Sequence, residues 1–256
     1  FISKLSELSG GLPVGFKLCI GRTEEFTEIC AKMVETGLRP DFITVDGAEG
    51  GTGASPLEFT DSVGMPIEPA LMFVRRTLER YKLHDEIKII ASGKVLTAAS
   101  LMKMLAMGAD LCNSARGFLF SLGCIQALRC NTNTCPTGIT THDRGLVRGL
   151  VVSDKSIRVC NFHRNTMRTL MELLAACGIS RVEDVNMGHF MRGDEFVAVR
   201  CGLQGHPDDR YLRAAVGVEC DQRGVGAVAD EGAGCVVEFH ALMYRGGGCF
   251  IPFRGQ

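Results

Sequence analysis

Residues 41–56 read DFITVDGAEGGTGASP, an extended apolar run that breaks into a loop dense in glycine. Asp41 to Val45 is a continuous apolar segment of the kind expected of a strand buried on both faces. The loop that follows, Asp46-Gly47-Ala48-Glu49-Gly50-Gly51-Thr52-Gly53-Ala54-Ser55-Pro56, places many backbone N–H groups where no side chain screens them. Glycine permits positive φ and close approach of the backbone to a ligand. So many glycines at the C-terminal end of a strand mark a place where an anion or a planar ring meets the main chain. The plainer reading is a flexible loop, but a linker rarely mixes Asp, Glu, Thr and Ser so densely. It is not a P-loop, because no Gly-Lys-Ser/Thr follows at the required offset.

Working outward, the same strand-then-helix unit recurs four times. Val14 to Ile20 is an apolar run interrupted by Lys17, and Glu24 to Glu35 follows it with Phe26, Ile29, Cys30 and Met33 at helical spacing and Gly37 at the stop. The glycine loop leads into a helix from about Pro66 to Tyr81. Ile87 to Ala91 is the third strand, with its helix over Ala98 to Met107. Asp110 to Asn113 is the fourth, with a helix from about Phe118. Strands alternating with helices predict an α/β fold with a parallel sheet. Periodicity leaves a barrel and a doubly wound open sheet both open. A further helix is expected over Ile157 to Ile179. From about Gly202 onward no helical or strand period is sustained and Lys is absent, so 201–256 reads as an atypical tail, native or frame-shifted, and carries no functional expectation.

Two more loops follow strands and precede helices: Ser92-Gly93-Lys94 and Ser114-Ala115-Arg116-Gly117. Phosphate sites in (β/α)₈ barrels are often built by the loops after the last two strands and by helix N-termini. As a pair the two loops suggest phosphate binding, with Lys94 or Arg116 as counter-charge. Taken singly, each is an ordinary turn with a solvated cation. Lys17, in the middle of an apolar strand, needs either a partner or an exit to the end of the sheet. There it could stabilise negative charge on a ring or a carboxylate, or simply snorkel at an edge.

Cys124, Cys130 and Cys135 lie within a dozen residues and precede Pro136. Thiolates suit soft metal centres and iron–sulfur clusters, while the lack of CxxC pairs argues against structural zinc. Six residues of helix turn a side chain by about 240°, so a shared centre requires the helix to end before Cys130. Three buried thiols is the alternative. The isolated histidines His142, His163, His189 and His206 suggest no catalytic set, and no nucleophile elbow is present.

Composition sets the remaining bounds. With 28 basic and 29 acidic residues the formal charge is −1, which gives no invitation to nucleic acid, and no apolar stretch is long enough for a membrane span. Twelve cysteines in a large apolar-cored chain fit reduced thiols and a cytoplasmic location better than a disulfide framework. The opening Phe1-Ile2-Ser3 reads as the start of a fragment.

Two of these motifs together become specific. Gly50-Gly51-Thr52-Gly53-Ala54-Ser55-Pro56 and the run Leu122-Gly123-Cys124 through Cys130-Asn131-Thr132-Asn133-Thr134-Cys135-Pro136-Thr137-Gly138, in this order, resemble the FMN-binding domain of the glutamate synthase family, and most of all its stand-alone members. The resemblance is strong from about Val14 to Asp143 and weaker to about residue 200. It implies that 1–143 is the C-terminal half of a (β/α)₈ TIM-type barrel, four βα units with an iron–sulfur loop, and that 144–200 is a helical extension. It implies FMN beside Lys17, Asp46, Gly50, Gly51, Thr52, Ser92, Gly93, Lys94, Ser114, Ala115 and Arg116, with Lys17 catalytic. It further implies a 3Fe-4S cluster on Cys124, Cys130 and Cys135. The reaction implied is reductive amination of 2-oxoglutarate with ammonia, by way of 2-iminoglutarate, with electrons from a donor subunit or ferredoxin. Stand-alone relatives also leave open another imine, as in N-methylglutamate synthesis, or a non-catalytic electron relay. The chain departs from the large enzymes where they carry Asp-Gly-Gly and it has Ser92-Gly93-Lys94. With only four of eight units read here, the rest of the barrel and the ammonia source are expected outside this sequence.

Overall fold

The structure is a computed structural model that describes residues 1–190 and the backbone of 242–244. After a short helix α1 (Ile2–Leu8), the chain runs β1 (Gly15–Cys19), α2 (Thr23–Thr36), β2 (Phe42–Asp46), α3 (Ile67–Arg80), β3 (Lys88–Ser92), α4 (Ala98–Ala106), β4 (Leu111–Asn113) and α5 (Ala115–Leu122). The one-turn helix α6 (Arg144–Val147) and the long α7 (Val152–Ala176) follow, and two 3₁₀ turns reach His189. The four strand–helix units expected from the sequence are all present, with boundaries shifted by one to three residues.

The four strands lie in sequence order, β1-β2-β3-β4, and every neighbouring pair is parallel. Ile43, Val45, Ile89, Ala91 and Cys112 point to one face and are completely buried in a core shared with Phe26, Cys30, Leu71, Val74, Leu78, Leu101 and Leu105 from the helices. Parallel crossovers are right-handed almost without exception. A sheet wound in one direction therefore receives all its helices on one face. A doubly wound sheet instead reverses its strand order and receives helices on both faces. The alternative left open by periodicity is thus decided: the winding is that of a (β/α) barrel, present here as four consecutive units. The opposite face carries the row Lys17, Thr44, Ile90 and Leu111, brought side by side by the register. Ile90 is buried but stands outside the helix-side core.

Local chemistry fixes the elements. In α2 the buried Phe26, Cys30 and Met33 recur at helical spacing, and Gly37 ends the helix at φ +70° with its N–H donating to the Met33 carbonyl. α4 begins with a capping box: Thr97 accepts from the Ser100 N–H while the Ser100 hydroxyl accepts from the Thr97 N–H. α5 starts at Ala115, three residues earlier than the sequence suggested, because Ser114 rather than the apolar run marks its beginning. α7 packs across α4 and α5. Phe162 meets Phe118 edge to face at 5.1 Å, His163 stacks on the same ring, and Leu170 and Leu174 are buried.

At the sheet edges, β1 has no partner beyond β2 among the described residues, whereas β4 pairs on its far side with β5 (Leu242–Tyr244), antiparallel, Leu111 opposite Tyr244 and Asn113 opposite Leu242. Three residues are too few for a strand period to show in sequence. The remainder of the tail expected at 201–256 lies outside the described residues.

Burial against Phe118 lowers the pKa of His163 from its ordinary 6.5. The folded chain therefore holds the neutral ring. Stability is fully present above pH 6.5 and falls as pH drops below that value toward the lower folded pKa. Thermal unfolding at pH 7.5 and 5.5 should show a drop in midpoint that His163→Gln makes smaller.

Candidate functional site

The register that pairs Cys19 with Asp46, Asp46 with Ser92, and Ser92 with Asn113 lines up the four strand ends on one side of the molecule. Loops 46, 92 and 114 therefore open onto a common mouth. On the inner face, one pleat below Cys19, the Lys17 ammonium forms an ion pair with Asp46 at 3.0 Å, its side chain still 45% exposed. The second Asp46 oxygen and the Asn113 amide oxygen are buried with no hydrogen-bond partner. The first stands beside the half-exposed Lys17 and the second three strands away at the end of β4; both are unusual in a settled core, where buried polar atoms are almost always paired. They are available to donors on a bound ring or substrate. Asn113 was not singled out in the sequence; the parity of the fourth strand was the signal that could have found it.

The glycine loop is folded back on the sheet. Gly47 N–H donates to the Ser92 carbonyl at 2.7 Å, Ala48 N–H to Met65, and Asp61 N–H to Ala48. Both oxygens of Glu49 accept from the Ile67 N–H at 3.1 Å, so this carboxylate meets the first amide of α3. A Cβ on Gly93 would come within 3.3 Å of the same carboxylate. Glu49 was quoted in the sequence only as part of the loop; its role depends on an N–H eighteen residues away, which no local pattern displays. Gly50 has φ +63°. A Cβ on Gly51 would touch that of Ala115 at 3.5 Å. One on Gly53 would press on the Leu128 Cα at 2.8 Å and lie 3.3 Å from the Cys130 sulfur. Gly53 is thus where the glycine loop and the cysteine loop meet, with no space for any other residue.

The two candidate cations differ. Lys94 stands at φ +48° and is paired with Asp61 at 2.9 Å, itself at φ +63°. Two non-glycine residues in the left-handed region, joined by an ion pair, brace the loop. The Lys94 charge is already matched. Arg116 has no ion pair among the described residues, and it lines a small cavity with Thr52, Gly53, Cys124 and Cys130. Ser114 is buried and its hydroxyl donates to the Val95 carbonyl at 2.6 Å, which sets the start of α5.

The helix ends before Cys130, as a shared centre requires, and already before the first cysteine: α5 stops at Leu122 and Gly123 turns out at φ +101°. Cys124 and Cys130 line the cavity with Arg116; Cys135 is buried and is not part of that lining. Burial tends to raise the Cys135 thiol, but hydrogen bonds from Thr137 and Thr140 outweigh it and bring it down to about 6. Its sulfur lies 3.3 Å from the Thr137 hydroxyl. Gln126, Leu128 and Asn133 all have positive φ. Asn133 braces the far end: its carbonyl accepts from the Thr141 hydroxyl at 2.7 Å and its side-chain oxygen from the His142 N–H at 2.6 Å. Among the described residues, no three His, Cys, Asp or Glu side chains stand close enough to share a metal ion. The donors suit a cluster chemically, with soft sulfurs and one thiol poised to ionise, but their geometry is not closed around a centre. The alternative of three buried thiols fits only Cys135, since Cys124 and Cys130 are half-buried; outside the loop, Cys30 and Cys112 are buried. Burial pushes the Cys30 thiol up to about 11.

Residues 1–180 match the family model described as "Conserved region in glutamate synthase". The chain is 49% identical over 180 residues to the glutamate synthase large subunit-like protein YerD of Bacillus subtilis, covering 70% of this chain and 34% of that one. It is 39% identical over 145 residues to an archaeal glutamate synthase (NADPH) of Methanocaldococcus jannaschii, covering 57% of this chain and 28% of that one. A ferredoxin-dependent glutamate synthase of Pyropia yezoensis is 32% identical over 146 residues, 57% of this chain and 9% of that one. The chain thus spans about a third of the length of the first two of these relatives.

Removing the Glu49 carboxylate leaves the first amide of α3 without its acceptor. Glu49→Ala is expected to cost about 0.5–2 kcal/mol, the usual worth of a helix cap, and Glu49→Gln less, as read by denaturant unfolding.

Proposed function

The chain belongs to the glutamate synthase family, and on that premise we propose that it forms half of the flavin-binding barrel of an FMN-dependent oxidoreductase making L-glutamate from 2-oxoglutarate and ammonia through 2-iminoglutarate. The observation that carries this reading is the convergence at Gly51 and Gly53, where the glycine loop touches the start of α5 and the cysteine loop at once. The reaction balances as 2-oxoglutarate, ammonium, two electrons and two protons giving L-glutamate and water. Electrons come from a donor subunit or a ferredoxin, and the remaining barrel units come from sequence outside this chain.

In this reading Gly50, Gly51, Thr52, Ser92, Gly93, Ser114 and Ala115 surround FMN with backbone donors and small side chains. Arg116 supplies the free positive charge for its phosphate. Lys94, matched by Asp61, holds the loop in shape. The unmet acceptors on Asp46 and Asn113 face the mouth and fit N–H donors of a planar ring. FMN, when bound, supplies two-electron hydride chemistry. Lys17 is the catalytic cation: held by Asp46 and half exposed, its Nζ binds an anionic oxygen of the substrate and can deliver a proton to the nitrogen as the imine is reduced. Cys124, Cys130 and Cys135 would hold a 3Fe-4S cluster, a one-electron store beside the ring. Metal binding and loop folding are coupled for sites that are not preformed, which accounts for a cysteine loop not closed on its own.

The test is the protein reconstituted with FMN and iron. Cys130→Ser should lose the iron–sulfur absorbance and keep the flavin spectrum; unchanged iron per chain would remove the cluster from the account. Lys17→Met should retain flavin and lose at least about a hundredfold in kcat, the usual scale for a general acid. Turnover with ammonia rather than methylamine identifies the imine.

A further inference from the structure

The parallel sheet has two outer edges, and the chain treats them differently. An edge strand presents a row of N–H and C=O groups that another strand can join. At the first edge, β1 has no outer partner among the described residues, and Lys17 stands at its centre, held by Asp46 at 3.0 Å. An inward-pointing charge in the middle of an edge strand discourages stray pairing. At the second edge, β4 reads Leu111-Cys112-Asn113 and carries no charge. Its outer row is taken instead by β5 (Leu242–Tyr244).

β5 is not a barrel strand. The eight strands of a (β/α)₈ barrel are all parallel, as β1 to β4 are, whereas β5 runs antiparallel to β4, with Cys112 opposite Met243. It nevertheless fills a place that a barrel reserves. A closed barrel has no edges, so its last strand bonds to its first on the side away from the strand before it. For β4, which has β3 on one side, that place is where β5 lies. One row of backbone groups serves one neighbouring strand at a time. β5 and the first strand of a closed barrel therefore exclude each other. β5 is held by three residue pairs, against five between β1 and β2 and five between β2 and β3. A ladder that short is a marginal one.

We propose that the outer edge of β4 is a strand-accepting site, closed in cis by β5 and yielded to the first strand of the barrel when the preceding units are present. The inference rests on the reading that the four described units are the last four of a barrel. Binding at this edge is strand addition, in which main-chain hydrogen bonds supply the affinity. While the edge is otherwise free, β5 keeps the uncharged β4 from pairing with another molecule. When the barrel closes, a parallel strand replaces it and β5 leaves the sheet.

The experiment reads amide hydrogen exchange by mass spectrometry in peptides covering β4 and β5, with β2 as the internal reference. Three proteins are compared: the full chain, the full chain with Leu242→Pro and Met243→Pro, and the full chain extended at its N-terminus by the four preceding βα units of a stand-alone family member. Two adjacent prolines remove N–H groups of both orientations, so whichever points at β4 is lost. In the full chain β4 and β5 should both be protected. In the proline variant β4 should exchange about tenfold faster or more with β2 unchanged, because exchange follows local opening. Met243→Ala keeps its N–H and should leave β4 protected. In the extended chain β5 should exchange about tenfold faster or more than in the full chain, while β4 stays protected. Equal β4 exchange in the wild type and the proline variant overturns the proposal. So does an extended chain in which β5 is as protected as before. Flavin uptake is followed in the same extended chain. Release of β5 without flavin uptake upholds the strand exchange and removes the FMN reading; flavin uptake with β5 retained does the reverse.

Discussion

Parallel pairing without a register break is the constraint on which everything else in this molecule rests. Because Cys19, Asp46, Ser92 and Asn113 stand in one line across the sheet, the loops that leave them emerge together. A slip of one residue in any strand would exchange its two faces. At β2 that would carry Asp46 away from Lys17 and drive a carboxylate into the core now filled by Ile43 and Val45. Completely buried apolar residues on the helix side thus hold the polar residues of the other side in place. The core is specific about the site without touching it.

Close approach is the second constraint, and it is made by absence of side chains. Gly53 lets two loops meet where a methyl group would press on backbone. The loops do not gain much direct binding from this contact; what they gain is a fixed distance between the glycine loop and Cys130. The charges then divide by whether they are already matched. Lys94 and Asp61 satisfy each other at strained backbone positions. Lys17 is matched on one side and exposed on the other. Arg116 is unmatched and faces the cavity of the two cysteines. Three cations in one mouth therefore have three different jobs available to them, which residue type alone does not distinguish.

That difference marks how far the sequence could be read. The four βα units were legible because each strand is a continuous apolar run and each helix keeps its period, signals that are local. The barrel winding was not legible in periodicity, because it depends on strand order; only the resemblance of the glycine and cysteine motifs implied it. The glycine and cysteine motifs were legible as chemistry, and an end of the helix before Cys130 could be required in advance from helix geometry; the structure ends α5 at Leu122. The pairing of Lys94 with Asp61 was hidden, since the partners are thirty-three residues apart. Glu49, Asn113 and the brace from Asn133 to His142 were hidden for the same reason: each acts on a backbone or a neighbour that only the folded chain supplies. The helix α6 and strand β5 are too short to carry any period.

The cysteine loop shows why a site can be prepared without being formed. Its two ends are fixed by independent means: Gly123 closes α5 at one end, and the Asn133 hydrogen bonds with the Asp143 cap secure the other. Between them lie Gln126 and Leu128, in left-handed conformations that cost a non-glycine residue free energy. A loop pinned at both ends and strained in the middle has few conformations left to lose. The entropy cost of closing it on a ligand is correspondingly small. Cys135 lies inside the fixed part and is already stabilised toward its thiolate by two threonines; Cys124 begins at the helix end. The segment carrying Cys130 leans on Gly53. In the proposed reading, in which the three sulfurs share one centre, bringing Cys130 into line would be transmitted to the glycine loop through that backbone contact.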